Sequence, residues 1–225
     1  MRAITALVAT LSLPIVAHAV PVTWEARGEV ESSTLDALFF ETFMPELAGT
    51  TAGDSLRLRI RFDTDADRLP NTISSFEATS LVMTLEVLDR GTHVFRIDTS
   101  VPPGDAVHSS LGIADDRVFG DQVRDGVLFQ HNYLTPAGVE LFHVLAAFSS
   151  LDTSVINGVI LPATPDPRLG VGIERLLSIQ ALPTELGQLS GVFTSLVRVP
   201  EPDSLALFAL GLAALGAVRR RATIA

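Results

Sequence analysis

The chain has no cysteine and no lysine. The first absence excludes disulfide frameworks, thiolate nucleophiles and cysteine metal sites together. Export remains open, because a domain of this size can rely on its core instead of covalent staples. The missing lysines leave arginine as the basic side chain; nothing in the sequence explains the choice. Tryptophan and tyrosine occur once each. No apolar run reaches the ~20 residues that span a bilayer comfortably as a helix. Charge is also one-sided, with a formal net of -10. Setting aside Arg2, Glu201, Asp203 and Arg219–Arg221, the body holds 12 basic and 24 acidic residues. Such a body argues against nucleic acid as a partner, since a polyphosphate needs a cationic surface.

What remains is a globular composition of 225 residues, 47% hydrophobic, with room for one domain and its terminal segments. The N-terminal end, MRAITALVATLSLPIVAHAV, opens with one cation, Arg2, followed by a short apolar stretch from Ile4 to Val16. Ala17 and Ala19 then supply small residues at the -3 and -1 positions of a cut after Ala19. Residues 1–19 therefore read as a cleaved secretory signal, which removes His18 from any list of catalytic candidates.

Residues 20–198 read as a single β-rich exported domain. The dominant pattern is alternation with period two, the mark of strands packed on one face. In LRLRIRF, Leu56, Leu58, Ile60 and Phe62 point one way while Arg57, Arg59 and Arg61 point the other. Val22, Trp24, Ala26, Gly28 and Val30 make a similar first strand. Leu81 to Val87 leads through Asp89-Arg90-Gly91-Thr92, a hairpin turn, into His93, Phe95 and Ile97. Further strands are expected at 127–131, 140–148, 176–182 and 192–197. Turn chemistry falls at 102–105, at Asp125-Gly126, at 135–138 and at 162–167. LDALFFETFM, 35–44, is either a short helix or a covering loop. About eight strands without long helices predict an all-β, antiparallel sandwich or barrel-like domain.

The body offers little catalytic chemistry. Asp63, Asp65 and Asp67 echo the oxygen ligands of a calcium loop, and they are the metal candidates of the sequence. A calcium loop counted from Asp63 wants glycine sixth and glutamate twelfth, where this chain has Arg68 and Ser74. A solvated acidic loop is the expected role. Asp115, Asp116, Asp121 and Asp125 form a second acidic patch, read as a solubilising loop. Among the histidines, His93, His108, His131 and His143 show neither HExxH nor HxH spacing. His131 and His143 lie on strands that could bring them face to face across a hairpin. No nucleophile elbow, P-loop or dinucleotide fingerprint is present. No cofactor and no catalytic residue is expected. The stripe Arg57, Arg59 and Arg61 predicts cross-strand pairing with acids; contact with an anionic polysaccharide is its functional alternative.

The C-terminal end reads VPEPDSLALFALGLAALGAVRRR from Val199. Leu205–Val218 is an apolar run of 14 residues followed by Arg219, Arg220 and Arg221. As a helix it would measure about 21 Å at ~1.5 Å per residue, short for a bilayer unless arginines snorkel or the bilayer thins. The positive-inside rule keeps the arginines cytoplasmic and the body outside, in agreement with the N-terminal signal. Pro200-Glu201-Pro202, the apolar run and the terminal arginines closely resemble the PEP-CTERM sorting signal of Gram-negative bacteria. The resemblance covers 199–221 and implies a transmembrane helix and recognition at Pro200, Glu201 and Pro202. It makes Arg219, Arg220 and Arg221 the stop, and an exosortase the processing partner. It further implies transient anchoring in the inner membrane, then release or re-attachment at the cell surface or outside the cell. The body also resembles, more loosely, β-rich domains found ahead of such tails, through FDTDA at 62–66 and GVFTSL at 191–196. The reading is thus a non-enzymatic exported protein of the envelope or extracellular matrix, structural or adhesive. Exopolysaccharide is its candidate contact. A secreted hydrolase of matrix polymers and a calcium- or glycan-binding module are the alternatives.

Overall fold

The computed structural model describes residues 21–64, 75–77, 80–96, 108–119, 122–134, 139–156, 162–169, 174–182 and 187–200. The N-terminal signal (Ala17 and Ala19 included), Asp65, Asp67, Asp121, the turns at 102–105 and 135–138, and the segment from Glu201 onward lie outside them. In chain order the elements are β1 (Pro21–Ser33), α1 (Ala37–Phe43), a 3-10 turn (Pro45–Leu47), β2 (Ser55–Asp63) and β3 (Ser75–Glu77). There follow β4 (Val82–Val87), β5 (Gly91–Arg96), β6 (His108–Phe119) and β7 (Gln122–Leu134). The last are β8 (Glu140–Ser150), β9 (Glu174–Ala181) and β10 (Gln188–Val199).

All ten strands join one antiparallel sheet in the order β3-β6-β7-β8-β9-β10-β1-β2-β4-β5. Between β5 and β7 lie seven strand-to-strand steps, about 34 Å if the sheet were flat at ~4.8 Å per step. Yet Phe95 of β5 and Tyr133 of β7 have ring centroids only 6.3 Å apart. The sheet is therefore curled into a half-barrel, so the barrel-like alternative holds and the two-sheet sandwich does not. Its ends, β3 and β5, do not pair with each other.

The concave face carries the alternating apolar positions of each strand, and these make the core. Trp24 stands at its centre, fully buried, edge-on to Phe62 (5.4 Å) and Phe129 (5.5 Å). At one end α1 forms a plug. Asp36 caps it by accepting from the Leu38 amide at 2.7 Å. Its buried Phe39 meets Phe142 of β8, which stacks on Tyr133 at 4.1 Å. At the other end the segment after β8 folds over the core, burying Ile156 and Leu169. Arg168 ties that segment together through Asp152 (2.6 Å) and Asp166 (2.8 Å). The Trp24 indole N–H donates to the Ala163 carbonyl at 3.4 Å from beneath it.

Two glycines sit where no side chain fits. A Cβ on Gly28 would lie 1.9 Å from the Val192 carbonyl, at the bulge that offsets β1 against β10. Gly187 has φ +91°, and a Cβ there would meet the Thr34 carbonyl at 2.0 Å.

Two expected loops are strand instead. Asp125 and Gly126, read as a turn, pair within β7 against Ser150 and Ser149 of β8. Asp115 and Asp116, read as part of a solubilising loop, lie in β6 at a bulge between Ala114 and Arg117. In both places the strand ladder overrides a local turn preference.

Candidate functional site

The described fold ends where the expected C-terminal signal begins. β10 runs to Val199, whose Cα partner is Thr23 on β1. Pro200 follows, exposed. Proline has no amide hydrogen, so it cannot continue the ladder, and the strand must end here. β1 begins at Pro21, two residues after the expected signal cut. Both ends of the domain thus leave from neighbouring central strands at the same end of the half-barrel.

On the convex face, β1, β2 and β4 place their charges in register. Glu25 sits directly opposite Arg59, and Arg57 directly opposite Glu86. Arg59 Nε donates to Glu25 at 2.8 Å, and Arg27 Nε donates to the other oxygen at 2.8 Å. Arg57 Nε donates to Glu86 at 2.8 Å. The expected cross-strand pairing is therefore present for Arg57 and Arg59. Arg61 differs: its register partners are Thr23 and Val82, which offer no carboxylate. Glu25 is only 4% exposed, and burial alone would raise its pKa. The hydrogen bonds from Arg59 and Arg27 outweigh that and hold it below the ordinary carboxylate value. Glu25→Ala should cost about 2 kcal/mol in urea unfolding at pH 7, because two guanidiniums lose a shared acceptor. A cost within ~0.5 kcal/mol would contradict that role.

Beside this network lies an open cleft of about 470 Å³, lined among others by Arg27, Glu29, Arg57, Glu86 and Thr194. Arg27 and Arg57, direct partners on the adjacent strands β1 and β2, both line it. Its walls carry both signs of charge together with Leu56 and Leu88.

The histidines do not form a site. His131 pairs with Val144, and His143 with Asn132. The offset of one residue sends His131 and His143 to opposite faces of the sheet, so they do not face each other. His131 is fully buried on the concave side beside Tyr133, with ring centroids 6.4 Å apart. Desolvation lowers its pKa from 6.5 to about 4, so it is neutral at pH 7. Burial raises the Tyr133 phenol in the same way. His93 Nδ1 lies 3.1 Å from Glu46 Oε2, and His143 Nδ1 lies 3.3 Å from Glu140 Oε1. His108 opens β6.

Asp63, a sequence candidate for metal, ends β2, and its backbone amide donates to the Ser80 hydroxyl at 3.1 Å. The structure instead brings Asp115, Asp116 and Asp125 together, with carboxylate oxygens within 4.8 Å of one another. The sequence groups these three with Asp121 in one acidic patch but reads it as a solubilising loop; the bulge that brings them together follows from pairing with β7. Asp125 is fully buried, and both its oxygens accept backbone amides: Asp116 at 2.9 Å and Ile156 at 2.7 Å. Its carboxylate thereby fastens the bulge of β6 to the segment after β8, a structural task.

Among the described residues no helix is long and apolar enough to cross a membrane. The apolar run Leu205–Val218, expected to be a transmembrane helix, lies outside them. No curated protein and no solved structure matches the chain. A family profile does: the PEP-CTERM protein-sorting motif matches residues 198–221. The match begins at Arg198, inside the last strand, and ends at the third terminal arginine. By that match, placed directly at the end of β10, the chain carries a PEP-CTERM protein-sorting motif.

Proposed function

We propose that this protein is a structural or adhesive component of the cell envelope or extracellular matrix, delivered by its PEP-CTERM signal. The observation that carries the reading is the position of the motif. The domain ends at Val199 and the motif's Pro-Glu-Pro core begins at Pro200, so the tail is a detachable handle. The signal at 1–19 starts export, the apolar run holds the chain in the membrane, and Arg219–Arg221 stop its transfer. An exosortase then acts at or near Pro200-Glu201-Pro202. Proline on each side of Glu201 disfavours helical backbone at that point, which suits recognition by a processing enzyme. The delivered body is acidic and built on a packed aromatic core, which leaves its outer faces for contact with exopolysaccharide.

Replacing Glu201 with Ala, or deleting Arg219–Arg221, should leave an unprocessed, larger species in the membrane fraction. Gel mobility of the pulse-labelled protein checks this. Normal processing of both variants would remove the support for recognition at this tail.

A further inference from the structure

The cleft on the convex face is built from two successive outward rows of the ladder. Arg27, Arg57 and Glu86 stand side by side in one row across β1, β2 and β4. Glu29 and Ser55 are partners in the next row, and the Leu88 amide donates to the Ser55 carbonyl at 2.8 Å. Ser55 is short, so the longer side chains around it leave an open cleft of about 470 Å³. That volume lies within the ~300–1,000 Å³ of small-molecule sites.

The polar groups of the cleft are ordered but not used up. Arg27 gives Nε and one terminal nitrogen to Glu25, and Arg57 gives the same two nitrogens to Glu86. Each guanidinium keeps its second terminal nitrogen without a hydrogen bond among the described residues. The exposed Glu29 carboxylate and Ser55 hydroxyl likewise make none there. Leu88 is 57% exposed. The charges of Arg27 and Arg57 cancel those of Glu29 and Glu86, so an ion of either sign would meet a like charge in the cleft.

These groups select the chemistry of a ligand. A guanidinium only donates and a carboxylate only accepts, whereas a hydroxyl does both. Arg57 and Glu29 are diagonal neighbours on paired strands, with backbones ~7–8 Å apart. Adjacent hydroxyls on one ring can bridge that gap, one accepting from Arg57 and the other donating to Glu29. The C–H face of such a ring needs an apolar wall, which Leu88 supplies.

We propose that this cleft binds an uncharged saccharide, its hydroxyls held by Arg27, Arg57 and Glu29 and its C–H face against Leu88. The inference rests on the matrix role proposed above and names the class of glycan met there, neutral rather than anionic. The ion pairs with Glu25 and Glu86 fix both guanidiniums before the ligand arrives, which reduces the ordering cost of binding.

Isothermal titration of the full chain tests this, in a polyoxyethylene detergent that carries no sugar headgroup. The probes are cellohexaose, maltohexaose and mannohexaose, with an alginate hexasaccharide as the charged comparison. At least one neutral probe should bind, and about tenfold or more tightly than alginate. Glu29→Ala and Leu88→Ser should each weaken that binding about tenfold, through a lost bond to a charged group and a lost ring contact. Glu41→Ala, at an exposed position of α1 outside the cleft, should leave it unchanged. Unchanged thermal midpoints would show that the variants are folded, as expected for exposed positions. Binding that either cleft variant leaves within about twofold of wild type overturns the proposal. So does tighter binding of alginate, or no binding of any neutral probe. Co-sedimentation of the exported protein with the matrix of the producing cells is scored in parallel. Sedimentation that persists without saccharide binding removes this cleft and leaves the matrix role standing; loss of both overturns the two together.

Discussion

Trp24→Ala should remove about 4 kcal/mol of stability, the largest loss expected from a single side chain in this domain. Trp24 is the only tryptophan and is fully buried. It belongs to β1 but touches Phe62 of β2 and Phe129 of β7, which lies four strands away in the sheet. It also holds the segment over the open end through the Ala163 carbonyl. Truncation leaves a cavity at the point where the two arms of the curl meet, so the loss combines transfer and cavity terms. Trp24→Phe keeps most of the volume and should cost about 1–2 kcal/mol, from the lost hydrogen bond and residual space. Urea unfolding followed by far-ultraviolet circular dichroism checks both, since Trp24→Ala removes the tryptophan fluorescence. A loss below about 1 kcal/mol for Trp24→Ala would mean that β7 does not close against β1.

Acidification from pH 7 to pH 4 should cost about 3 kcal/mol through His131 alone. Its folded pKa is depressed to about 4, against 6.5 in the unfolded chain. Between those values the unfolded state takes up a proton and the folded state does not, so stability falls as pH falls. Each pKa unit is worth ~1.4 kcal/mol. The loss begins near pH 6.5 and levels off near pH 4. Glu25 acts in the same direction from its own ordinary pKa downward, because its folded pKa is lowered by Arg59 and Arg27 against the opposing effect of burial. The His131 share is therefore isolated by difference. His131→Phe should flatten the dependence between pH 6.5 and pH 4 relative to wild type, measured by urea unfolding at several pH values. Parallel curves for the two proteins would show that His131 is not buried in its neutral form.

The strands whose pattern is local were legible in the sequence. Leu56, Leu58, Ile60 and Phe62 alternate with three arginines, and β2 buries those four positions. The ambiguous 35–44 stretch resolves as a capped helix over the core. What escaped sequence reading depends on partners far along the chain. HSSLGIADDRVF gives no clean alternation, because the bulge at Asp115 and Asp116 shifts its phase partway along β6. Asp125-Gly126 carries a strong turn signal, yet β8 supplies Ser150 and Ser149 opposite it and keeps it extended. The fates of His131 and His143 were set by one residue of register, which no single-strand pattern contains. Curling is likewise a property of the whole sheet: it appears only when Trp24 finds Phe129 and Phe95 finds Tyr133. The sorting tail was legible for the opposite reason. Its parts are contiguous, and their order along the chain carries the signal.

That handle also locates the decisive measurement, the intact mass of the exported protein from cells with and without the sorting enzyme. The account predicts a product that begins at Val20 and lacks Leu205–Arg221 when the enzyme is present. Without the enzyme, the product should retain the apolar run and its arginines. One and the same mass in both cells, with Leu205–Arg221 still attached, would contradict it.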